Sequence, residues 1–137
     1  MVKTSFIPHE SEKQYSDFFN TCYNTIILNR VKKLGNLRAL KTFIKINYPF
    51  ASLVMQKCNG YLYLHKISVN TDKQGFGIAK SVLQTLCTFA DWKEITIKLQ
   101  PTNNFGSNLD RLIEFYYSFG FTWDSEQDEM IRIPKNN

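Results

Sequence analysis

Hydrophobic positions change period several times along the chain, and each change marks an element boundary. From Ser11 to about Leu34, apolar residues recur at three- and four-residue steps (Tyr15, Phe18, Phe19, Cys22, Ile26, Ile27), the spacing of one helix face. Gly35 offers a C-terminal stop, and a second helix is predicted from Leu37 to Ile46, ending ahead of Pro49. Phe50–Lys57 is then a β-type run, Asn59-Gly60 is a hairpin turn signal, and Tyr61–Val69 is the returning strand. Ile78, Val82, Leu83, Leu86, Phe89 and Ala90 restore helical spacing to about Asp91. Glu94–Leu99 alternates as a half-buried strand and Pro101 stops it. Ser107 or Asn108 can cap a helix running to Ser118, with Gly120 at its end. Phe121–Asp124 and Glu129–Ile133 close the chain as two short strands, and residues 3–8 could form another. The expected fold is α/β (α+β): a mixed, largely antiparallel twisted sheet with helices on both faces.

At 137 residues the chain is long enough for one domain, 1–137, with a substantial core. Its 43% hydrophobic and 15% aromatic content excludes disorder. No repeat, low-complexity segment or linker divides it. Residues 1–25 lack an apolar signal-peptide core, and no apolar run approaches the ~20 residues of a membrane span. Cys22, Cys58 and Cys87 are odd in number and widely spaced, which predicts reduced thiols in a cytoplasmic protein, with neither disulfide framework nor metal site. They are expected to be small core fillers.

The net charge of +5 is unevenly distributed: residues 1–68 carry +7 and residues 69–137 carry −2. The excess concentrates at Arg30, Lys32, Lys33, Arg38, Lys41 and Lys45. A solvated helix face is one reading of this cluster; an anionic cofactor tail, an acidic protein or nucleic acid are others.

The stretch with the most chemistry is Gln74-Gly75-Phe76-Gly77-Ile78-Ala79, a glycine-rich turn between a strand ending Ile67-Ser68-Val69 and a helix. Glycines let backbone N–H groups approach an anion, and a helix N-terminus adds unpaired donors and the positive end of its dipole. The turn therefore predicts a site for a phosphate-bearing cofactor.

In these residues the chain resembles the GNAT superfamily of N-acetyltransferases. The turn matches the family's Arg/Gln-x-x-Gly-x-Gly/Ala motif, and Phe115-Tyr116-Tyr117-Ser118-Phe119-Gly120-Phe121 matches its Phe-Tyr-x-x-x-Gly-Phe block, one strand later. The resemblance covers roughly residues 50–134. It implies acetyl-CoA as co-substrate, with its pantetheine arm on the exposed backbone of Ile67, Ser68 and Val69. The pyrophosphate would lie on the amides of Gln74, Gly75, Phe76, Gly77, Ile78, Ala79 and Lys80. Gln74 stands where arginine is commoner, so Lys73 and Lys80 are the candidate charges. Tyr116 matches the tyrosine that protonates the departing thiolate, with Tyr117 its competitor.

The resemblance implies direct transfer of acetyl to an amine-bearing acceptor, such as a protein lysine or terminal amine. The family often supplies a strand glutamate as base, whereas Tyr61 and Tyr63 occupy those positions here. No carboxylate occurs between Asp17 and Asp72, which leaves His65 as the candidate. Leu109 and Leu112 likewise replace the family's frequent Asn and Ala, with Asn108 one place away. A catalytically weak coenzyme A-binding or regulatory module on the same fold, or a basic nucleic-acid-associated protein using Arg30–Lys45, are the alternative readings. A monomer or homodimer is expected, with no membrane association.

Overall fold

The computed structural model describes residues 9–75, 77–102 and 108–135, with side chains from Cys22 onward except Thr71. Two helices open it, α1 (His9–Leu34) and α2 (Leu37–Asn47). A hairpin of β1 (Ala51–Cys58) and β2 (Tyr61–Val69) follows, then helix α3 (Ile78–Lys93), β3 (Thr96–Leu99), helix α4 (Leu109–Tyr117), β4 (Thr122–Asp124) and β5 (Glu129–Arg132). The expected strand at residues 3–8 lies outside the described residues.

The five strands form one sheet in the order β1-β2-β3-β5-β4. Only β2 and β3 pair in parallel; the other three pairings are antiparallel, the mixed and largely antiparallel sheet expected from the sequence. Each parallel-running step, β2 to β3 and β3 to β4, is bridged by a helix, as a parallel crossover requires.

Alternation sorts the sheet into two faces. Leu62, Leu64, Ile97, Leu99 and Met130 are at most 2% exposed and join Val82, Leu83, Leu86 and Phe89 of α3 in one core. Ile27 and Val31 bring α1 into it, Leu40 and Ile44 bring α2, and Tyr116 brings α4. Tyr61, Tyr63, Lys98, Glu129 and Ile131 are the intervening residues and stand half-buried on the opposite face.

Several expectations need correction. Glu94 caps α3 in the left-handed conformation (φ 58) and is not in β3, whose strand starts at Thr96. The helix needs a left-handed terminating residue, and no glycine is present there to supply it. Ile26 is 55% exposed, and only its neighbour Ile27 faces the core. Cys22 is exposed and Cys58 half-buried, so Cys87 alone of the three is a buried filler.

Candidate functional site

β2 and β3 separate partway along their length. Their pairing runs for four residues, from Tyr61–Thr96 to Leu64–Leu99. The next residue of β2, His65, is an extra one: Leu64 pairs with Met55, but Lys66 pairs with Val54, so a bulge falls where β3 leaves. From there to Val69, β2 is paired with β1 alone among the described strands. Asn70 N–H donates to the Phe50 carbonyl (2.9 Å). By the two-residue alternation of an antiparallel ladder, the backbone groups of Ile67 and Val69 then point away from β1, into the gap, while those of Ser68 face β1. Of the three residues expected to bind through exposed backbone, Ile67 and Val69 thus turn their backbone groups to the gap and Ser68 turns its own to β1. The Val69 carbonyl already accepts a hydrogen bond from Gln74 Nε2 (3.0 Å), which ties the turn back to the strand end.

The chain passes from β2 through a 3-10 turn (Thr71–Lys73) to α3. Gly75 and Gly77 both have positive φ (91 and 74), and a Cβ on either would meet nothing within 4 Å. These glycines answer to backbone conformation, and the space above them is open. Gly77 is the N-cap of α3 and supplies no side-chain cap. The first helical bond is Ser81 N–H to Gly77 carbonyl (3.0 Å), so the amides of Ile78, Ala79 and Lys80 precede the intrahelical ladder. The other described N-caps differ. Asn36 accepts from Ala39 N–H (2.8 Å) in α2, and Asn108 accepts from the amides of Asp110 and Arg111 in α4. An uncapped N-terminus with a positive dipole end and open space over it can hold an anion. Phe76 lies outside the described residues.

Lys80 is exposed in the first turn of α3, on the rim of a groove of about 910 Å³ between α1 and α3 that Lys32 and Lys135 also line. Lys73 is turned elsewhere, its ammonium 4.8 Å from the Phe50 ring centroid. Of the two candidate lysines, Lys80 alone lies on α3 itself.

Tyr116 is 5% exposed, held edge-on by Phe115 (5.5 Å) and Phe121 (5.4 Å), and burial pushes its phenol up to about 12. Tyr117, the next residue, is 49% exposed. His65 is exposed, with Nε2 3.1 Å from Gln56 Oε1 and its ring 4.7 Å from that of Tyr63. Cys87 is buried and its thiol is pushed up to about 12 by that burial, which removes it as a nucleophile.

Sequence reasoning missed Arg132 and Glu129. Arg132, 3% exposed, makes two bonds to Asp91 of α3 (2.7 and 3.0 Å) and one from Nε to the Phe119 carbonyl (2.7 Å), joining β5 to the ends of both crossover helices. Glu129 Oε2 is buried without a hydrogen-bond partner among the described residues. An alternating strand pattern signals which residues share a face, but not which charged one is buried.

Among the described residues, no group of His, Cys, Asp and Glu could hold a metal ion, and no helix is long and apolar enough to cross a membrane. No family model and no curated protein matches the sequence. Among solved structures, the chain is similar to Ard1 from Thermoplasma volcanium, at 16% identity and a TM-score of 0.49, over 74% of this chain and 82% of that one.

Proposed function

We propose that the protein is an N-acetyltransferase that uses acetyl-CoA and transfers acetyl directly to a primary amine. One observation carries the reading: an uncapped, glycine-fronted helix N-terminus follows directly on a strand whose pairing with its neighbour ends at Leu64, which leaves Ile67 and the Val69 amide without a strand partner on that side among the described residues. An anion and an extended polar chain can be held together there. The amides of Ile78, Ala79 and Lys80 receive the pyrophosphate. The backbone of Ile67 and Val69 receives the pantetheine amides as an added strand would, with Val69 giving its N–H because Gln74 holds its carbonyl. The thioester then lies in the gap beyond Leu64.

Chemistry in such a site needs little from the protein beyond placement. Holding amine and thioester together is worth up to about 7–11 kcal/mol in favourable cases. Tyr116 assists the leaving sulfur, on this reading as a hydrogen-bond donor.

The test is calorimetric titration with acetyl-CoA of the wild type and of Gly77→Glu. Saturable binding by the wild type that falls at least ~10-fold in the variant supports the reading, since a carboxylate in the cradle repels the pyrophosphate. Wild-type protein that binds no acetyl-CoA, or a variant that binds and transfers unchanged, removes it.

A further inference from the structure

The sheet face turned away from α3 holds a carboxylate that the fold leaves incompletely bonded. Glu129 opens β5 opposite Asp124, and its Oε2 is buried with no hydrogen-bond partner among the described residues. A buried carboxylate oxygen without a donor is costly and needs a reason. Its position suggests one. Leu99, the last residue of β3 to pair with β2, also pairs with Met130, and Glu129 is one residue further along. Glu129 therefore stands at the level where β2 and β3 part. Met130 faces the core, so Glu129 faces the other way, on the side of Tyr63 and Lys98, which pair across β2 and β3.

The surroundings favour a cation. The Tyr63 phenol is pushed up by burial and then by the charge of Glu129; Tyr61 is raised first by Cys58 and then by burial, with Glu129 a smaller contributor. The same face already seats a primary ammonium on an aromatic ring: Lys98 Nζ is 4.3 Å from the Tyr61 centroid. The ring of His65 continues the surface beyond Tyr63, at 4.7 Å.

We propose that Glu129 receives the amine of the acceptor and takes its proton. This rests on the acetyl-transfer reading, in which the thioester enters the gap from the α3 side and leaves the opposite face to the amine. The ammonium gives one proton to the Glu129 carboxylate. The freed nitrogen lone pair forms the C–N bond at the thioester carbonyl, and the C–S bond breaks with its electron pair on sulfur. A second nitrogen proton ends on that sulfur as the coenzyme A thiol, the third stays on the amide, and Glu129 returns its proton to solvent. The base absent upstream of the glycine turn is thus supplied from β5, more than fifty residues downstream of it.

The experiment compares wild type, Glu129→Gln and Glu129→Ala. n-Butylamine binding is followed by NMR of the tyrosine ring signals, acetyl-CoA binding by calorimetry, and transfer to n-butylamine by thiol release. In Glu129→Gln, acetyl-CoA binding is expected to be unchanged and the urea midpoint no lower, because the oxygen replaced has no partner. Amine binding is expected to be lost and transfer to fall about 10²-fold, the scale of general-base catalysis. Added acetate is expected to restore part of the transfer in Glu129→Ala, which a structural role would not show. Amine binding or transfer that is unchanged in Glu129→Gln, or a wild type that binds no amine, overturns the proposal. Amine binding that depends on Glu129 in a protein that ignores acetyl-CoA would overturn the acetyl-transfer reading and leave the amine site standing.

Discussion

Burial decides what Tyr116 can do. A phenol pushed up to about 12 is fully protonated at neutral pH, whereas an alkyl thiol titrates near ~8.5. On the proposed reading, moving the proton from this phenol to a coenzyme A thiolate is uphill by roughly three to four pH units, which favours a hydrogen-bond donor's part for Tyr116. The same shift has a consequence for stability. Below pH 10 both folded and unfolded chains hold the proton, and Tyr116 adds no pH dependence. Between pH 10 and about 12 the unfolded chain releases it first, so stability falls as pH rises. The full effect is about 2–3 kcal/mol at 1.36 kcal/mol per pH unit. Urea unfolding of wild type and Tyr116→Phe at pH 8 and pH 11 checks this. The gap between the two proteins should shift in favour of the variant at the higher pH. Cys87, raised in the same direction, contributes equally to both proteins and cancels. Curves that stay parallel would show that the phenol ionises as freely folded as unfolded.

At the scale of elements, α3 is fixed at both ends by different means. Its N-terminus is held back to β2 by the Gln74–Val69 bond, and its C-terminus by Asp91, which accepts from Arg132 and from the Lys135 amide (2.8 Å). Burial pushes the Arg132 guanidinium down, but its bonds to Asp91 and the nearby charges raise it overall. Removing one partner of such a pair leaves a buried charge without compensation. Asp91→Ala should therefore cost about 3–5 kcal/mol, and the double change with Arg132→Met markedly less. Chemical denaturation of the two variants decides it; a double variant as unstable as the single would show that the loss lies in packing. Local features were legible in the sequence: β2 spans Tyr61–Val69 as its alternation predicts, and α3 follows its apolar spacing and its two glycines. What a strand or helix does far from its own residues was not legible. Arg132 reads as an ordinary alternating position because Asp91 is 41 residues away, and the parting of β2 from β3 depends on where β3 stops. Glu129 went unnoticed for the same reason, since it reaches the gap only through β5 pairing with β3. The helix-face reading of α1 failed at Ile26 because spacing gives a stripe, and only tertiary contact selects which of its edges is covered.

For the whole molecule, charge separation is the property that bears on partner choice. Arg30, Lys32, Lys33, Arg38, Lys41 and Lys45 are all exposed on α1 and α2, and the Arg30 guanidinium rests over the Phe43 ring at 5.4 Å. A cluster of this kind raises the encounter rate with an anionic partner and is screened within about 8–10 Å at physiological salt. On the acetyl-transfer reading, an acceptor polypeptide rich in Asp and Glu around its reactive amine should then be preferred over a small free amine. The preference belongs to kcat/KM and not to kcat, because the cluster acts on encounter and leaves the reacting atoms alone. Raising salt from 50 to 500 mM should lower kcat/KM for an acidic lysine peptide roughly 10-fold while leaving that for n-butylamine within about 2-fold. Lys41→Glu with Lys45→Glu should reproduce the loss at low salt, and both exposed changes should leave the fold intact. Equal salt response for the two acceptors would mean that the basic helices take no part in acceptor choice. A loss far steeper for RNA or duplex binding than for the peptide would instead assign the cluster to phosphate contacts, where the slope counts the cations displaced.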